Sequence, residues 1–308
     1  MAIVLGPNRY GKAETRVVRV TRDGATHHLR DLNVGVSLSG AMDEVHLTGD
    51  NAAVLTTDTQ KNTVFAFAKK HGVAEIEEFA LLLARHFVDS QPTITHARVE
   101  IEEYGWDRIP PDGRTDGGAD GAPVSLPDGG GRHSFVRNGS EVRTALVHSD
   151  GSDGPESVVS GLKNLVVLNS TGSEFHGFIQ DEYTTLLPTG DRILATEVAA
   201  RWRHRGTGSP FGRSYQGARR CLLDAFAGTH SLSLQQTLYA MGRRVLDERG
   251  EICEVRLTMP NRHHFLVDLE PFGMDNDNEV YFAADRPYGL IEGAVLTDDA
   301  SDQPFAWN

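Results

Sequence analysis

The apolar positions of this chain follow two periods in turn. Leu32, Val34, Val36 and Leu38 fall at every second place with Asn33, Gly35 and Ser37 between them, the pattern of a half-buried strand. Val17 to Arg22 is a shorter β-branched run ahead of it, so the two predict a hairpin. From Thr57 the period lengthens. Thr57-Asp58-Thr59-Gln60 has capping-box spacing, Lys69, Lys70 and His71 occupy the last turn, and Gly72 supplies the stop, which predicts a helix capped by Thr57. Ile76, Phe79, Ala80, Leu83 and Phe87 recur at helical spacing and predict a second helix before Pro92. Strand alternation returns at Ala97, Val99 and Ile101, and again from Val142 to Val147.

The second half repeats this order without obvious sequence identity. Strand-like runs at Lys163 to Leu168 and Ile193 to Arg203 precede helical stretches at Ala218 to Gly228 and Leu234 to Arg249. Ser233-Leu234-Gln235-Gln236 is a further capping box, with Leu234, Leu238, Met241 and Val245 as the buried stripe. Cys253, Val255 and Leu257, then Phe265, Val267 and Leu269, bring back strands. The expected class is α+β: two tandem ββααββ units over residues 1–150 and 151–308, antiparallel sheets with helices on one face. Their edges and open faces need cover, and closure into a barrel on oligomerisation is one way to supply it. Between Pro110 and Gly131 lie seven glycines and four prolines, a composition that cannot nucleate a core. It reads as a long loop in the first unit and is assigned no chemistry.

Composition narrows the function classes. A net charge of −13 argues against a general nucleic-acid binder, because affinity for phosphate backbones comes from Lys and Arg. No apolar run reaches the ~20 residues of a membrane span, and Met1 to Lys12 lacks the apolar core of a signal peptide. Cys221 and Cys253 are far apart, which suits buried reduced thiols. The pairs His27-His28 and His263-His264 lack accompanying ligand spacing, so no metal is expected. Gly129-Gly130-Gly131 lacks the spacing of a dinucleotide-binding loop.

One run is far more specific. Leu165-Val166-Val167-Leu168-Asn169-Ser170-Thr171-Gly172-Ser173-Glu174-Phe175-His176-Gly177-Phe178, continuing through Tyr183 and Leu186 to Arg192, resembles the signature of the urate oxidase family. The likeness lies in two spaced leucines, a Ser-Thr pair, Ser-x-Phe, the later aromatics and the closing arginine. Asn169 stands where the family usually has lysine. Asn8 to Lys12, Thr56 to Thr63, Leu234-Gln235 and Pro260 to His263 resemble the family's other active-site segments, in order.

The resemblance implies a homotetramer of the tunnelling fold. It implies urate bound at subunit interfaces and oxidised by O2 to 5-hydroxyisourate and hydrogen peroxide, with no cofactor. Arg192 and Gln235 are then the substrate's clamp, a planar fork of donors and an amide offering donor and acceptor together. Phe175 stacks on the ring. Thr57, Asp58 and Leu234 also bind substrate, Asn261 holds O2 or its replacement water, and Lys12, Thr57 and His263 form a proton relay. Thr57 and Lys12 come from one subunit, Arg192 and Gln235 from its neighbour. Two other readings stay open: a pteridine-processing enzyme of the same fold, and a non-catalytic urate-binding protein. Phe305-Ala306-Trp307-Asn308 is not a peroxisomal address, so a cytoplasmic enzyme is expected.

Overall fold

The computed structural model describes residues 1–24, 26–109 and 133–308. The glycine-rich loop expected at 110–131 lies outside the described residues. The chain divides into two compact units, Met1–Val158 with Trp307, and Val159–Ala306 with Asn308.

The first unit runs β1 (Tyr10–Asp23), β2 (Thr26–Gly40), α1 (Asp43–Leu47), α2 (Thr57–Lys70), α3 (Ile76–Asp89), β3 (Ile94–Arg108) and β4 (Phe135–Ser149). Its strands pair antiparallel in chain order, with Val17 opposite Leu32, Val34 opposite Ile101 and Val99 opposite Val147. That register gathers the alternating apolar residues of β2, β3 and β4 on one buried face, where α3 inserts Ile76, Phe79, Ala80, Leu83 and Phe87. Each of the larger of these side chains contributes about 1.5–3 kcal/mol by leaving water. The predicted strands and helices are therefore present, joined by the short α1, whose five residues bury nothing and left no apolar signal.

The second unit runs β5 (Glu156–Asn169), β6 (Leu194–His204), α4 (Phe211–Gly228), α5 (Leu234–Glu248), β7 (Ile252–Leu266) and β8 (Tyr281–Leu296), again antiparallel in chain order. Leu234, Leu238, Met241 and Val245 of α5 enter one core with Leu162, Val198, Trp202, Leu222 and Leu257. Three expectations are corrected. Helix α4 begins at Phe211 rather than Ala218, because buried Phe211, Ser214 and Gly217 hold a first stretch whose glycines hide it from propensity. The runs around Cys253 and Phe265 are one strand, β7, with Val267 and Leu269 beyond its end. The fourth strand is β8, whose side chains are mostly exposed and so show little apolar contrast. The fold class is α+β, with antiparallel sheets and few helices.

The repeat extends to local irregularities. The first strand of each unit carries a register shift, between Lys12 and Thr15 in β1 and between Leu162 and Leu165 in β5. Each shift contains a left-handed non-glycine residue, Glu14 at φ 54° and Asn164 at φ 62°. Both cysteines are buried free thiols, and burial together with Glu248 pushes Cys221 up to about 11. Among the described residues no helix is long and apolar enough to cross a membrane.

Candidate active site

In the first unit the candidate residues gather where β1 meets the start of α2. Gly11 is needed here, because a Cβ at that position would lie 1.8 Å from the Val36 carbonyl oxygen. Tyr10 donates to the Leu55 carbonyl at 2.9 Å, and the buried Gln60 amide reaches the same oxygen at 3.3 Å, which ties β1 to the turn before α2. Lys12 is thereby close enough to Asp58 to help lower the pKa of that carboxyl, after the larger effects of the Lys61 hydrogen bond and charge.

The helix cap is one residue earlier than expected. Thr56, not Thr57, is the N-cap, and its hydroxyl accepts from the Thr59 amide at 3.1 Å. Gln60 is buried, and its amide donates to the Leu55 carbonyl rather than taking part in a capping box. Two adjacent threonines fit the same spacing rule, and the one whose extended backbone precedes the helix takes the task. The consequence is chemical. The Thr57 hydroxyl is not spent on the cap, and the amides of Thr57 and Asp58 have no intrahelical acceptor.

The start of α5 in the second unit has the same arrangement. Ser233 is its N-cap as expected, its hydroxyl accepting from the Gln236 amide at 3.2 Å, while Gln236 Oε1 accepts from the Leu232 amide at 2.7 Å. Here the amides of Leu234 and Gln235 are the ones left without an intrahelical acceptor. Leu234 is buried in the core and Gln235 is exposed.

The remaining candidates converge around Arg192. Phe175 is pinned by paired backbone hydrogen bonds to Thr189, 2.9 and 3.0 Å, and its ring stacks on Phe178 with centroids 5.1 Å apart. The Arg192 guanidinium carbon lies 5.2 Å from the Phe175 centroid. Arg192 Nε is buried without a hydrogen-bond partner, and burial alone lowers the guanidinium's pKa. A buried donor left unmade costs about 1–3 kcal/mol, so this fork is set to take an acceptor.

Strand β7 completes this group. Its register with β6 sets Thr196 opposite Asn261 and Ala195 opposite Arg262, which carries His263 toward Arg192 at the start of β6. His263 lies two residues past Asn261 on β7, where the register with β8 shifts. Its imidazole is held below the ordinary histidine value, first by burial, then by the charges of Arg192 and His264. His263 is therefore neutral at neutral pH and able to accept a proton.

Other residues position these groups without having been singled out. Asp191 accepts from the Thr171 hydroxyl at 2.8 Å and the Gly172 amide at 2.9 Å, fixing the loop beside Arg192. Buried Ser231 bonds Gly172 and Glu174 through its backbone and Thr237 through its hydroxyl, joining the signature loop to α5. Asp191 lay within the signature beside Arg192, and nothing in the pattern marked Ser231. Asn169 donates to the Phe226 carbonyl at 3.0 Å, tying the end of β5 to α4. Among the described residues no three His, Cys, Asp or Glu side chains are grouped as a metal site.

Known proteins resemble this chain over nearly its whole length. The family model described as Uricase matches residues 8–148 and 158–292. The chain is 50% identical over 304 residues to the uricase of Arthrobacter globiformis, covering 98% of this chain and 93% of that one. It is 35% identical over 290 residues to the uricase of Dictyostelium discoideum, covering 94% and 96%. The crystal structure of the Arthrobacter globiformis uricase matches with a TM-score of 0.90 at 49% identity, covering 100% of both chains.

Proposed function

This chain belongs to the uricase family, and we propose that it oxidises urate with O2 and water to 5-hydroxyisourate and hydrogen peroxide, without a metal or organic cofactor. The observation that carries the reading is the buried, unbonded Arg192 donor beside the pinned Phe175 ring. A flat anionic heterocycle satisfies both, accepting from the guanidinium fork while stacking on the phenyl ring. The amides of Leu234 and Gln235, with the Gln235 side chain, add donors and an acceptor along the same edge.

The steps then divide by residue. Urate loses a proton before it yields electrons to O2, and the peroxide formed must be protonated as it leaves. Lys12, close to Asp58 and the start of α2, lowers the cost of removing a proton from the Thr57 hydroxyl or a bound water. The open amides of Thr57 and Asp58, at the positive end of the helix dipole, hold the opposite anionic edge of the substrate. Neutral His263 takes and returns protons, and Asn261, two residues before it on β7, holds O2 or water over the ring. We propose that the working form is a homotetramer. The group containing Lys12 and Thr57 from one copy and the group containing Arg192 and Gln235 from a neighbour then make one site. Strands β1 and β8, each paired on one side only among the described residues, offer edges for such closure into a barrel.

The test is oxygen uptake with peroxide formation by metal-stripped protein given urate. Consumption of both substrates is expected. Urate binding without oxygen uptake would leave a binding protein, and turnover of a pterin without turnover of urate would assign the other enzyme class. An active monomer in sedimentation would overturn the shared site.

A further inference from the structure

The residue beside Phe175 ties the signature loop to the turn that opens α5. Glu174 lies between two imidazoles: its Oε1 accepts from His230 Nε2 at 3.0 Å and its Oε2 from His176 Nε2 at 2.9 Å. An ionised carboxylate only accepts, so both rings present their N–H at Nε2. The carboxyl is held below the usual glutamate range, first by the His230 hydrogen bond, with desolvation opposing and the His176 bond assisting. His176 stands in the same loop, two residues on. His230 does not. It belongs to the connection between α4 and α5, four residues ahead of Leu234 and five ahead of Gln235.

That connection is fastened on both sides. Toward the helix, the Leu232 amide donates to Gln236 Oε1 at 2.7 Å and the Thr237 hydroxyl to that of Ser231 at 2.8 Å. Toward the loop, the Glu174 amide donates to the Ser231 carbonyl at 2.8 Å and the Ser231 amide to the Gly172 carbonyl at 2.9 Å. Those two backbone bonds make the isolated bridge between Ser173 and Ser231 and fix one short line of contact. A line of contact leaves rotation about itself. A third attachment, from the Glu174 side chain to His230, removes that freedom. One side of the bridge carries the Phe175 ring, next in the chain to Glu174 and paired with Thr189, and the other carries Leu234 and Gln235.

We propose that Glu174 is a positioning residue for the urate site, its side chain bridging to His230 so that the Phe175 ring and the start of α5 keep the spacing a flat purine needs. The inference rests on the reading that Phe175 and Gln235 bind urate. Its sign is opposite to that of a charge effect. Taking a carboxylate away from the surroundings of an anion tightens binding by Coulomb's law alone, whereas loss of the bridge loosens it. Length separates the two further. Glu174→Asp keeps the charge and falls one methylene short of His230. Glu174→Gln drops the charge and keeps the reach, its amide accepting from one imidazole and donating to the other.

Urate affinity of the full-length protein is measured by calorimetric titration without O2, and KM and kcat by oxygen uptake. In Glu174→Ala, Kd and KM should rise about five- to thirtyfold with kcat within about twofold of the parent, as when binding shared by ground and transition states is lost. Glu174→Gln should recover most of that affinity and Glu174→Asp little. His230→Ala leaves the loop's own residues unchanged and should reproduce the Glu174→Ala effect, adding nothing to it in the double variant. His176→Ala, which keeps the bridge to His230, should have a smaller effect. A role in stability alone would lower the denaturation midpoint and leave Kd and KM of the folded protein unmoved. If Glu174→Ala does not fold, His230→Ala and Glu174→Asp carry the same comparison. Unchanged or tighter binding in the alanine variants, rescue by Asp and not by Gln, or additive losses in the double variant overturns the proposal. A parent that neither binds nor oxidises urate overturns the proposed function and this inference together, whereas a parent that oxidises urate beside alanine variants of equal affinity overturns the inference alone.

Discussion

The two units begin α2 and α5 in the same way and surround them differently. In both, a hydroxyl cap takes the amide three residues on and leaves two open, Thr57 and Asp58 in one case, Leu234 and Gln235 in the other. Beside the start of α2 the carboxylate is exposed and already paired, Asp58 with Lys61 at 2.5 Å. In the second unit the nearby site is partly buried and its cation, Arg192, has a donor without an acceptor. A repeated scaffold thus supplies the same pair of helix-start amides twice, and the surroundings divide the work. The exposed group is suited to moving protons with water, and the buried one to gripping a flat anion.

The largest effect should come from breaking the proton-handling group alone. Thr57→Ala and Lys12→Met are each expected to lower kcat by about 10²–10⁴-fold, the usual range for general acid–base groups. A non-oxidisable urate analogue should still bind with little change. Full turnover in both variants would remove the relay assignment. Breaking the other group should invert this result. Arg192→Ala loses charge-assisted hydrogen bonds of about 1.5–3 kcal/mol, so analogue affinity should fall roughly 10- to 150-fold. Arg192→Lys keeps the charge without the planar fork and should recover only part of it. Unchanged analogue affinity in Arg192→Ala would show that the unbonded donor is not the clamp.

The next effect is a shift in pH dependence. Burial, then Arg192 and His264, disfavour the protonated His263 imidazole, so its neutral form persists below the ordinary pKa of about 6.5. If the neutral form accepts the proton, kcat/KM falls only as pH drops through that lowered value. Bound urate neutralises the push from Arg192, so the acid limb of kcat should lie at higher pH than that of kcat/KM. His264→Gln removes a second charge and should move the kcat/KM limb up by less than about one unit, a worth of under ~1.4 kcal/mol. A limb that moves down, or does not differ between kcat and kcat/KM, would detach His263 from the chemistry.

How much of this was legible follows from where function departs from packing. Leu32 to Leu38, Ile76 to Phe87 and the α5 stripe were legible because each buries one face at its own period. The continuity of strand β7 was not, because Pro260-Asn261-Arg262-His263 interrupts its apolar alternation at the candidate site residues. Strand β8 was hidden for a related reason. With most side chains exposed, and Pro287, Gly289 and Gly293 within it, it presents no buried face to alternate. The candidate residues themselves came from the family resemblance, since Arg192 and Gln235 carry no packing signal. The contacts around them, Thr189 with Phe175, Asp191 with Gly172 and Ser231 with Glu174, are tertiary pairings that no spacing encodes.

The smallest effects are the ones that test whether the two helix starts are alike. Thr56→Ala removes the cap of α2 and Ser233→Ala that of α5, so each should cost about 1 kcal/mol of stability. Thr57→Ala lies just inside the helix and caps nothing, so its stability should stay within ~0.5 kcal/mol of the parent although its turnover collapses. Denaturant midpoints at unchanged m-value measure all three. The caps should also differ in their effect on function. Losing Ser233 frees the turn that carries Leu234 and Gln235 and should raise KM by a few-fold with kcat nearly kept. Losing Thr56 disturbs the residue next to Thr57 and should lower kcat more than it raises KM. If Thr57→Ala proves as destabilising as Thr56→Ala, the hydroxyl of Thr57 is engaged in holding the helix, and its freedom to move protons is lost with that result.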